Sequence, residues 1–352
     1  MTNRTDRSHV YVGAGQWTSG TRSGLFRQAR GDDHWEPLGK GLPDPAAVQA
    51  ITVHPINPDI VYVGTHDGPY RSADRGASWE RGDFPAGLQT WSVAVHPRDP
   101  RVIYAGTSPI GVWRSEDGGE RWRPLRNAVQ PERLKMSFAC RVMRLAIAAG
   151  DEDELYAALE VAGVMRSLDG GEHWEDCADD LVALADRPHL KSRIQSDSDA
   201  EGMLDAHALC VSDAAPGTVF LAARMGLFRS EDRGKVWQDM EIGRFSPLTY
   251  ARDVRVSPHD PRTLYACLSP AARSEDGSLY RTADLGRTWT RVDHGVQARA
   301  TMMALALHPR DADEVYCAAR CGQVFGTRDG GRTWTESLLP EGVEDVYAIA
   351  CG

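Results

Sequence analysis

The sequence predicts an all-β fold: a single seven-bladed β-propeller built from four-stranded antiparallel blades. Two observations lead to this prediction. A nine-residue phrase that ends in tryptophan recurs along the whole chain of 352 residues, and an apolar run with a proline turn precedes most copies. Self-similarity of this kind is the signature of repeat architectures, and the spacing of roughly 43 to 63 residues is within or above the range of propeller blades.

The repeated phrase has six good copies and one degraded copy, RQARGDDHW, which ends at Trp35. The good copies are RSADRGASW (71–79), RSEDGGERW (114–122), RSLDGGEHW (166–174), RSEDRGKVW (229–237), RTADLGRTW (281–289) and GTRDGGRTW (326–334). In a tight turn, glycine supplies a positive φ and aspartate accepts backbone N–H groups. We therefore expect a structural role, with each tryptophan packed beneath its turn, for the aspartates Asp74, Asp117, Asp169, Asp232, Asp284 and Asp329.

Each repeat contains the strands of one blade in a fixed order. Strand A is a run such as SVAV, an HPxDP segment forms the A-to-B turn, and strands B and C are segments such as IYAGT and GVWRS. Strand D surrounds the tryptophan. The predicted A strands are 48–54, 90–96, 142–147, 206–212, 251–257, 302–308 and 346–351.

The last A strand has no B, C or D strand after it. The missing strands are found at the other end of the chain, in residues 9–38, so residues 9–38 and 345–352 are predicted to form the seventh blade together. Pairing the two termini in one blade closes the array and removes the exposed sheet edges that a linear array would leave. The whole chain, 1–352, is thus predicted to be one domain.

The S-x-D-x-G-x-x-W phrase resembles the Asp-box, or BNR repeat, of sialidases, sortilin-type receptors, xyloglucan-cleaving glycosidases and photosystem II assembly factors. The resemblance covers essentially the whole chain and implies the propeller fold, but these families share the blade and differ in function. The FRIP-like motif of sialidases and their Tyr/Glu/Arg set have no counterpart here. Xyloglucan-cleaving relatives work between two propellers with two aspartates, whereas this chain predicts one propeller.

The composition and the absence of certain motifs argue against several classes of partner and cofactor. A net charge of −10 without a Lys/Arg run argues against nucleic acid as a partner. The N-terminus lacks a signal-like apolar region and no stretch reaches roughly 18 apolar residues, so we expect a cytoplasmic protein with no membrane partner. The cysteines in strand-like runs predict reduced thiols. No phosphate loop or dinucleotide fingerprint occurs, so no nucleotide cofactor is expected. The oligomeric state stays open.

The B-to-C loops and the D-to-A linkers share the face of the propeller where ligands are expected to bind. Aligning the repeats with one another identifies two rings of varied residues at this mouth, a variety that no packing rule requires. The ring near the start of strand A is Gln49, Trp91, Met143, His207, Arg252, Met303 and Tyr347. The ring at the end of strand B is Gly15, His66, Ser108, Glu160, Arg224, Ser269 and Arg320.

Three of these residues, His66, Glu160 and His207, are the candidate catalytic acid–base groups. Two imidazoles and a carboxylate could also hold a divalent metal with open coordination positions. The alternative is that each is an isolated polar residue bonded within the blades. A metal cofactor is therefore left undecided.

Arginines at the same mouth predict an anion-binding site, because guanidinium pairs bidentately with carboxylate or phosphate. The predicted substrate-binding residues are Arg252, Arg224, Arg320, Arg144, Arg141, Trp91, Tyr347 and Gln49. As an alternative, some of these arginines pair with Asp253, Glu160 or Asp205 in a structural network.

Three insertions are predicted on the same face: 123–139, 175–204 and the SPAARSEDGSLYRT segment of blade 5. The second contains a Ser/Asp-rich stretch that predicts mobility, and its His189, Lys191 and Arg193 suggest a lid. Together the patterns favour a small-molecule-binding propeller with hydrolase-like activity on an anionic substrate, a sugar acid or an aromatic acid. A non-catalytic scaffold for a protein partner, and a lyase or isomerase at the same site, stay open as alternatives.

Overall fold

The structure, a computed structural model, describes residues 8–15, 18–126, 128, 131, 133, 136–151 and 153–352. Within these residues the chain forms seven four-stranded antiparallel sheets. The predicted seven-bladed, all-β propeller is confirmed, and the A strands begin and end within one residue of their predicted limits. None of the helices in the described ranges is long and apolar enough to cross a membrane.

The strands run from A to D in each blade, with A innermost. Blades 1 and 2 comprise β4 (Val48–Val53), β5 (Val61–Thr65), β6 (Gly68–Ser72), β7 (Glu80–Arg81), β8 (Gln89–Val95), β9 (Ile103–Ser108), β10 (Val112–Ser115) and β11 (Arg123–Leu125). Blades 3 and 4 comprise β12 (Val142–Ile147), β13 (Leu155–Leu159), β14 (Gly163–Ser167), β15 (Glu175–Asp176), β16 (Ala206–Val211), β17 (Val219–Ala223), β18 (Gly226–Ser230) and β19 (Gln238–Asp239).

Blades 5 and 6 comprise β20 (Tyr250–Val256), β21 (Leu264–Ser269), β22 (Ser278–Thr282), β23 (Thr290–Arg291), β24 (Met302–Leu307), β25 (Val315–Ala319), β26 (Gln323–Thr327) and β27 (Thr335–Leu338). Blade 7 comprises β28 (Val346–Cys351), β1 (His9–Ala14), β2 (Gly24–Ala29) and β3 (Glu36–Leu38). Short helical segments lie in two of the connections between blades. The connection from blade 3 to blade 4 contains the helices α1 (Asp179–Leu184) and α2 (Glu201–Leu204) and the 3-10 turn Pro188–Leu190. The connection from blade 4 to blade 5 contains the 3-10 turn Ile242–Arg244.

The two ends of the chain close the propeller as predicted. Strand β28 pairs antiparallel with β1, with Tyr11 opposite Ala350 and Val12 opposite Ile349. Beyond the last pair, the backbone N–H groups of His9 and Gly352 donate to each other's carbonyl oxygens at 2.8 and 3.0 Å. This pairing completes the seventh sheet, so the ring of blades is closed by the two ends of the chain.

The Asp-box turns between strands C and D have the predicted structural role. In all six good copies the serine or threonine hydroxyl lies 2.6–2.9 Å from an aspartate oxygen, and the glycine N–H donates to that hydroxyl at 2.7–3.0 Å. The backbone N–H four residues beyond the aspartate donates to it at 2.8–3.0 Å. In each of the six copies, the glycine two residues after the aspartate has a φ of 80–95°, a conformation that glycine adopts without a steric cost.

The tryptophan of each box packs toward the neighbouring blade. Trp237 is 2% exposed, lies in the core between blades 3 and 4 with Leu181 and Tyr156, and donates its indole N–H to the Cys177 carbonyl at 2.9 Å. Trp79 contributes in the same way to the core between blades 7 and 1. All seven cysteines are free thiols, in agreement with the predicted reduced state.

The insertion 175–204 is folded against the blades. Leu181, Leu190 and Met203 are buried in the core between blades 3 and 4. Glu201 is fully buried, and its carboxylate accepts the N–H groups of Ile194, Gln195 and Ser196 at 2.7–3.0 Å. A polar composition does not reveal that one buried carboxylate accepts three successive N–H groups of this loop, so this arrangement could not be predicted from the Ser/Asp-rich stretch.

Candidate functional site

The backbone of every inner strand is irregular near its start. Each A strand contains a β-bulge, which leaves one residue without a partner on strand B. A bulge re-aims the side chain of the extra residue. The seven bulged residues are Gln49, Trp91, Met143, His207, Arg252, Met303 and Tyr347.

These seven residues are the predicted inner ring, and the structure brings all of them to one cavity in the central channel. Above it, a wider cavity of about 360 Å³ opens to the solvent. The wider cavity, here called the mouth, is lined by Arg141, Glu160, Asp205, His207, Arg224, Tyr250, Arg252, Ala271, Ala272, Arg273, Met303, Arg320 and Tyr347. The mouth thus combines members of both predicted rings with residues that were not predicted.

Four of the five predicted arginines have a carboxylate partner. The pairs, with their shortest N···O distances, are Arg141–Glu160 (2.6 Å), Arg144–Asp253 (2.9 Å), Arg224–Asp205 (2.9 Å) and Arg320–Asp345 (2.7 Å). The alternative of a structural network is therefore realised for Arg141, Arg144 and Arg224. Arg144 lies deeper than the mouth, in the channel cavity.

Arg252 differs from the other predicted arginines. Among the described residues it has no carboxylate within ion-pair distance, although it lies at the junction of the channel and the mouth and is only partly exposed. The Tyr250 and Tyr347 rings flank it: burial raises the pKa of both phenols, and the Arg252 charge opposes this effect. Its guanidinium is thus a positively charged hydrogen-bond donor with no carboxylate in ion-pair contact among the described residues.

His207 is held in one orientation by the backbone. Its Nδ1 lies 2.7 Å from the Ala251 carbonyl, which can only accept, so the ring hydrogen is on Nδ1. Nε2 faces the Tyr250 hydroxyl at 3.3 Å and an Asp205 oxygen at 3.4 Å. Burial and, against the pull of Asp205, the Arg252 charge lower the pKa of His207. The neutral imidazole accepts the Tyr250 O–H and is suited to act as a base.

Glu160 is the second acid–base group of the mouth. Burial raises its pKa from 4.5 to about 7, with Arg141 opposing this rise and Asp205 adding to it. A carboxyl group that titrates near neutral pH can hold a proton and release it during a reaction.

His66 does not join this pair. It is exposed, its Nδ1 accepts the Ala47 N–H at 3.3 Å, and it lines an adjacent cavity of about 410 Å³ that excludes Glu160 and His207. The described residues contain no group of three His, Cys, Asp or Glu side chains placed to hold a metal ion. The three candidate ligands of a possible metal are therefore not brought together, because His66 lines the adjacent cavity whereas Glu160 and His207 line the mouth.

Trp91, Tyr347 and Gln49 line both the adjacent cavity and the channel cavity, and Tyr347 also lines the mouth. The Trp91 and Tyr347 rings meet edge to face at 5.4 Å, and the Arg141 guanidinium lies 4.0 Å from the Trp91 ring centroid. The Gln49 amide lies 3.0 Å from the Ala47 carbonyl. Arg141 and Tyr347 border both the mouth and the adjacent cavity, here called the side cavity, so the two are continuous.

The sequence analysis named Arg141 and Asp205 but did not recognise that they belong to a third ring, two residues before each bulge. Its members are Ala47, Gln89, Arg141, Asp205, Tyr250, Thr301 and Asp345. It supplies Tyr250 and the partners of Arg224 and Arg320, and the same internal alignment would have found it. Arg273, which lines the mouth, lies in the blade 5 insertion that the sequence did single out.

The other insertions contribute little to the mouth. No residue of 175–204 lines it, and His189 pairs with Asp239 on the outer strand at 3.0 Å, while Lys191 and Arg193 pair with Asp199. These contacts do not favour the lid. Much of the 123–139 segment, including residues 127, 129, 130, 132, 134 and 135, lies outside the described residues.

Comparison with known proteins agrees with the geometry. The family model of the BNR-Asp box repeat matches residues 227–240, which hold the box of blade 4. The chain is a seven-bladed β-propeller, and the family model matches one of its Asp-box turns. No curated protein matches its sequence.

Solved structures share the fold of this Asp-box propeller at low identity. A GH74 xyloglucanase from Xanthomonas campestris superposes with a TM-score of 0.65 and 18% identity over 94% of this chain, which spans only 52% of the enzyme. YCF48 from Cyanidioschyzon merolae gives a TM-score of 0.56 and 14% identity, covering 85% of this chain and 87% of YCF48. A structure of YCF48 bound to D1 peptide gives 0.52 and 15%, covering 83% and 81%. These neighbours include a xyloglucanase and a protein with a bound peptide, so the shared fold does not decide the function.

Proposed function

We propose that this propeller binds a small carboxylate-bearing molecule at the mouth and acts on it by acid–base chemistry. The observation that carries the proposal is Arg252, a partly buried guanidinium that faces the mouth without a carboxylate partner. Leaving a charged donor unpaired in a low-dielectric site is costly, and an anionic ligand would remove that cost.

The charge balance of the mouth supports an anion. Five arginines and two carboxylates line it, in a protein whose net charge is −10. One of the two carboxyls, Glu160, has its pKa raised to about 7 by burial and so carries only part of a charge at neutral pH. Locally positive potential in an acidic protein concentrates anions at this face.

The side cavity suggests the rest of the ligand. Ser23, Gln89 and His66 line it next to Trp91, so it offers hydrogen-bonding groups beside an aromatic wall. Both cavities fall within the size range of small-molecule sites, roughly 300–1,000 Å³. A ligand with its carboxylate on Arg252 and an uncharged hydroxylated portion in the side cavity, as in a sugar acid joined to a second unit, fits this division.

The acid–base groups support hydrolysis of the bond between the two portions. Glu160 lines the mouth beside Arg141, which borders both cavities, and in its protonated form it can protonate a leaving oxygen there. Neutral His207, acting through the Tyr250 hydroxyl, can accept a proton from the attacking water. Each group is assigned the protonation state that its surroundings favour.

A second candidate reaction, elimination, has its own supporting observation. Arg252 beside a bound carboxylate would make the adjacent C–H more acidic, and the Tyr250–His207 pair at 3.3 Å lies next to Arg252 as a base. Hydrolysis adds water to the products, whereas elimination leaves an unsaturated product that absorbs in the ultraviolet. Product analysis therefore separates the two.

A scaffold role has less support within the described residues. The large hydrophobic side chains that are exposed, Ile56, Leu168, Ile194, Val236 and Leu338, are distributed over several blades. A docking surface for a protein would require a contiguous apolar patch.

The test of binding is calorimetric titration with uronic acids, aromatic acids, phosphorylated sugars and their uncharged analogues. We expect one carboxylate class to bind wild type and to bind Arg252→Met about 10- to 100-fold more weakly, the range for a charge-assisted hydrogen-bonded pair. Arg252→Lys should fall between them. Arg229→Met, on an outer strand, is the matched control and should bind like wild type. Equal binding by Arg252→Met, or binding of no anion, would overturn the proposal.

The test of chemistry uses the class that binds. Glu160→Gln should retain binding and lose turnover, because the amide cannot donate the proton that the leaving group needs. If Glu160→Gln turns over normally, Glu160 is not the acid.

A further inference from the structure

The channel below the mouth contains a second group of arginines. Arg144, Arg252 and Arg255 line one cavity of about 50 Å³, together with His207. Arg144 and Arg255 do not line the mouth, so this cavity is a different site, although it shares His207, Arg252, Met303 and Tyr347 with the mouth.

One carboxylate serves these three guanidiniums among the described residues. Asp253, which is fully buried, accepts a hydrogen bond from Arg144 at 2.9 Å and from Arg255 at 3.2 Å. Its second oxygen also accepts the Leu305 N–H at 3.1 Å. Asp253 is thus fully committed, and Arg252 has no acid within ion-pair distance. Three positive charges face one negative charge inside the channel.

The Arg144 and Arg255 side chains are only 29% and 28% exposed, so water solvates these charges incompletely and such an imbalance is costly. Water can solvate the guanidinium N–H groups, but it cannot neutralise their charge. A single water needs roughly 10–15 Å³ of such space, so the cavity has room for one small ion with a few waters and is too small for a sugar acid or an aromatic acid. We propose that the channel holds a small inorganic monoanion of the halide class, bound between Arg144, Arg252 and Arg255.

The decisive experiment is crystallography of the full chain with sodium bromide, at a wavelength where bromide scatters anomalously. We expect an anomalous peak in the channel within about 3.5 Å of guanidinium nitrogens, the distance of a halide hydrogen bond. Peaks confined to the outer surface, or no peak in the channel, would overturn the proposal.

A solution measurement tests the same site independently. Chloride is titrated against sodium fluoride at constant ionic strength, because fluoride keeps its hydration shell and controls for screening. We expect a saturable rise in Tm of about 1–3 °C for wild type. Arg144→Met should lose the rise, Arg144→Lys should keep part of it, and Arg229→Met should retain it. A non-saturable response, or the same rise in Arg144→Met, would argue against the site.

This inference stands apart from the function proposed for the mouth. Bromide in the channel with no carboxylate binding would retain the channel site and reject the mouth. Carboxylate binding in halide-free buffer, with no bromide in the channel, would do the reverse. If Arg144→Met does not fold, the bromide crystals of wild type still decide the question.

Discussion

Each blade has a position where the backbone geometry repeats, at the Asp-box turn in six blades and at the bulge of the inner strand in all seven. At the turn the residues repeat with the geometry: a hydroxyl, an aspartate, a glycine and a tryptophan recur with nearly constant hydrogen bonds. At the bulge the residues differ from blade to blade, from Gln49 and Trp91 to His207 and Arg252. At the turn the side chains determine the backbone conformation. At the bulge the backbone conformation is the same with seven different side chains, so the side chain can vary to suit a ligand.

Removing a tryptophan from a box should have the largest effect on stability. Trp237→Ala deletes a buried ring and leaves its hydrogen-bond acceptor, the Cys177 carbonyl, unpaired. We expect a loss of about 3–5 kcal/mol in the free energy of unfolding, measured by chemical denaturation. Val236→Ala, its exposed neighbour, is the control and should change it by less than about 0.5 kcal/mol. A loss below about 1 kcal/mol for Trp237→Ala would show that the box does not anchor the blade.

At the mouth, Glu160→Gln should reveal a dependence on pH. The folded pKa of about 7 exceeds the unfolded value of 4.5, so folded wild type retains the Glu160 proton between these values while the unfolded chain releases it. The stability that Glu160 contributes is complete below pH 4.5 and is lost as pH rises to 7. Relative to Glu160→Gln, wild type should lose about 1–3 kcal/mol over this range.

Thermal or chemical unfolding of both proteins at several pH values measures this difference. The exposed Glu231→Gln pair is the control and should show no such trend. The opposite slope would mean that the ion pair with Arg141, at 2.6 Å, outweighs burial and keeps Glu160 charged in the fold.

The two regions also differ in how much the sequence could predict. The turns, the blade count, the shared seventh blade and the bulged ring follow from the repeats, because each blade can be aligned with the others. The arginine pairs do not all follow, because Arg320 takes its partner Asp345 from the next blade and repeat alignment says nothing of contacts between blades. The burial of Glu201 could not be predicted for a related reason, because it depends on the backbone N–H groups that fold around the carboxylate.

Freeing a paired arginine should sharpen the contrast between Arg252 and its neighbours. Asp345 is buried with a φ of 53°, a conformation that asparagine also adopts, and it accepts two N–H groups of Arg320. We expect Asp345→Asn to cost about 1–2 kcal/mol of stability and to bind the anionic ligand roughly 3- to 10-fold more tightly. Calorimetric titration measures the affinity, and Asp311→Asn on the outer face is the control. Weaker binding would mean that Asp345 positions Arg320 for the ligand.

The smallest effect is expected where the turn has most support from its backbone. Asp284 accepts the Thr282 and Thr288 hydroxyls and two backbone N–H groups; against the effect of burial, these bonds lower its pKa to about 2. The contribution of Asp284 is therefore present above pH 3.8 and is lost as pH falls toward 2.

Asp284→Ala should cost only about 1 kcal/mol at pH 7, by chemical denaturation, and should leave the affinity of the mouth unchanged. The degraded box of blade 7 supports a small value: Arg30 replaces the aspartate there, and the turn still closes through the Asp32 N–H and the Ala29 carbonyl at 3.0 Å. A cost above about 3 kcal/mol would instead mean that a blade built from one continuous segment requires the aspartate. The blade 7 turn would then depend on the pairing of β28 with β1 in place of the aspartate.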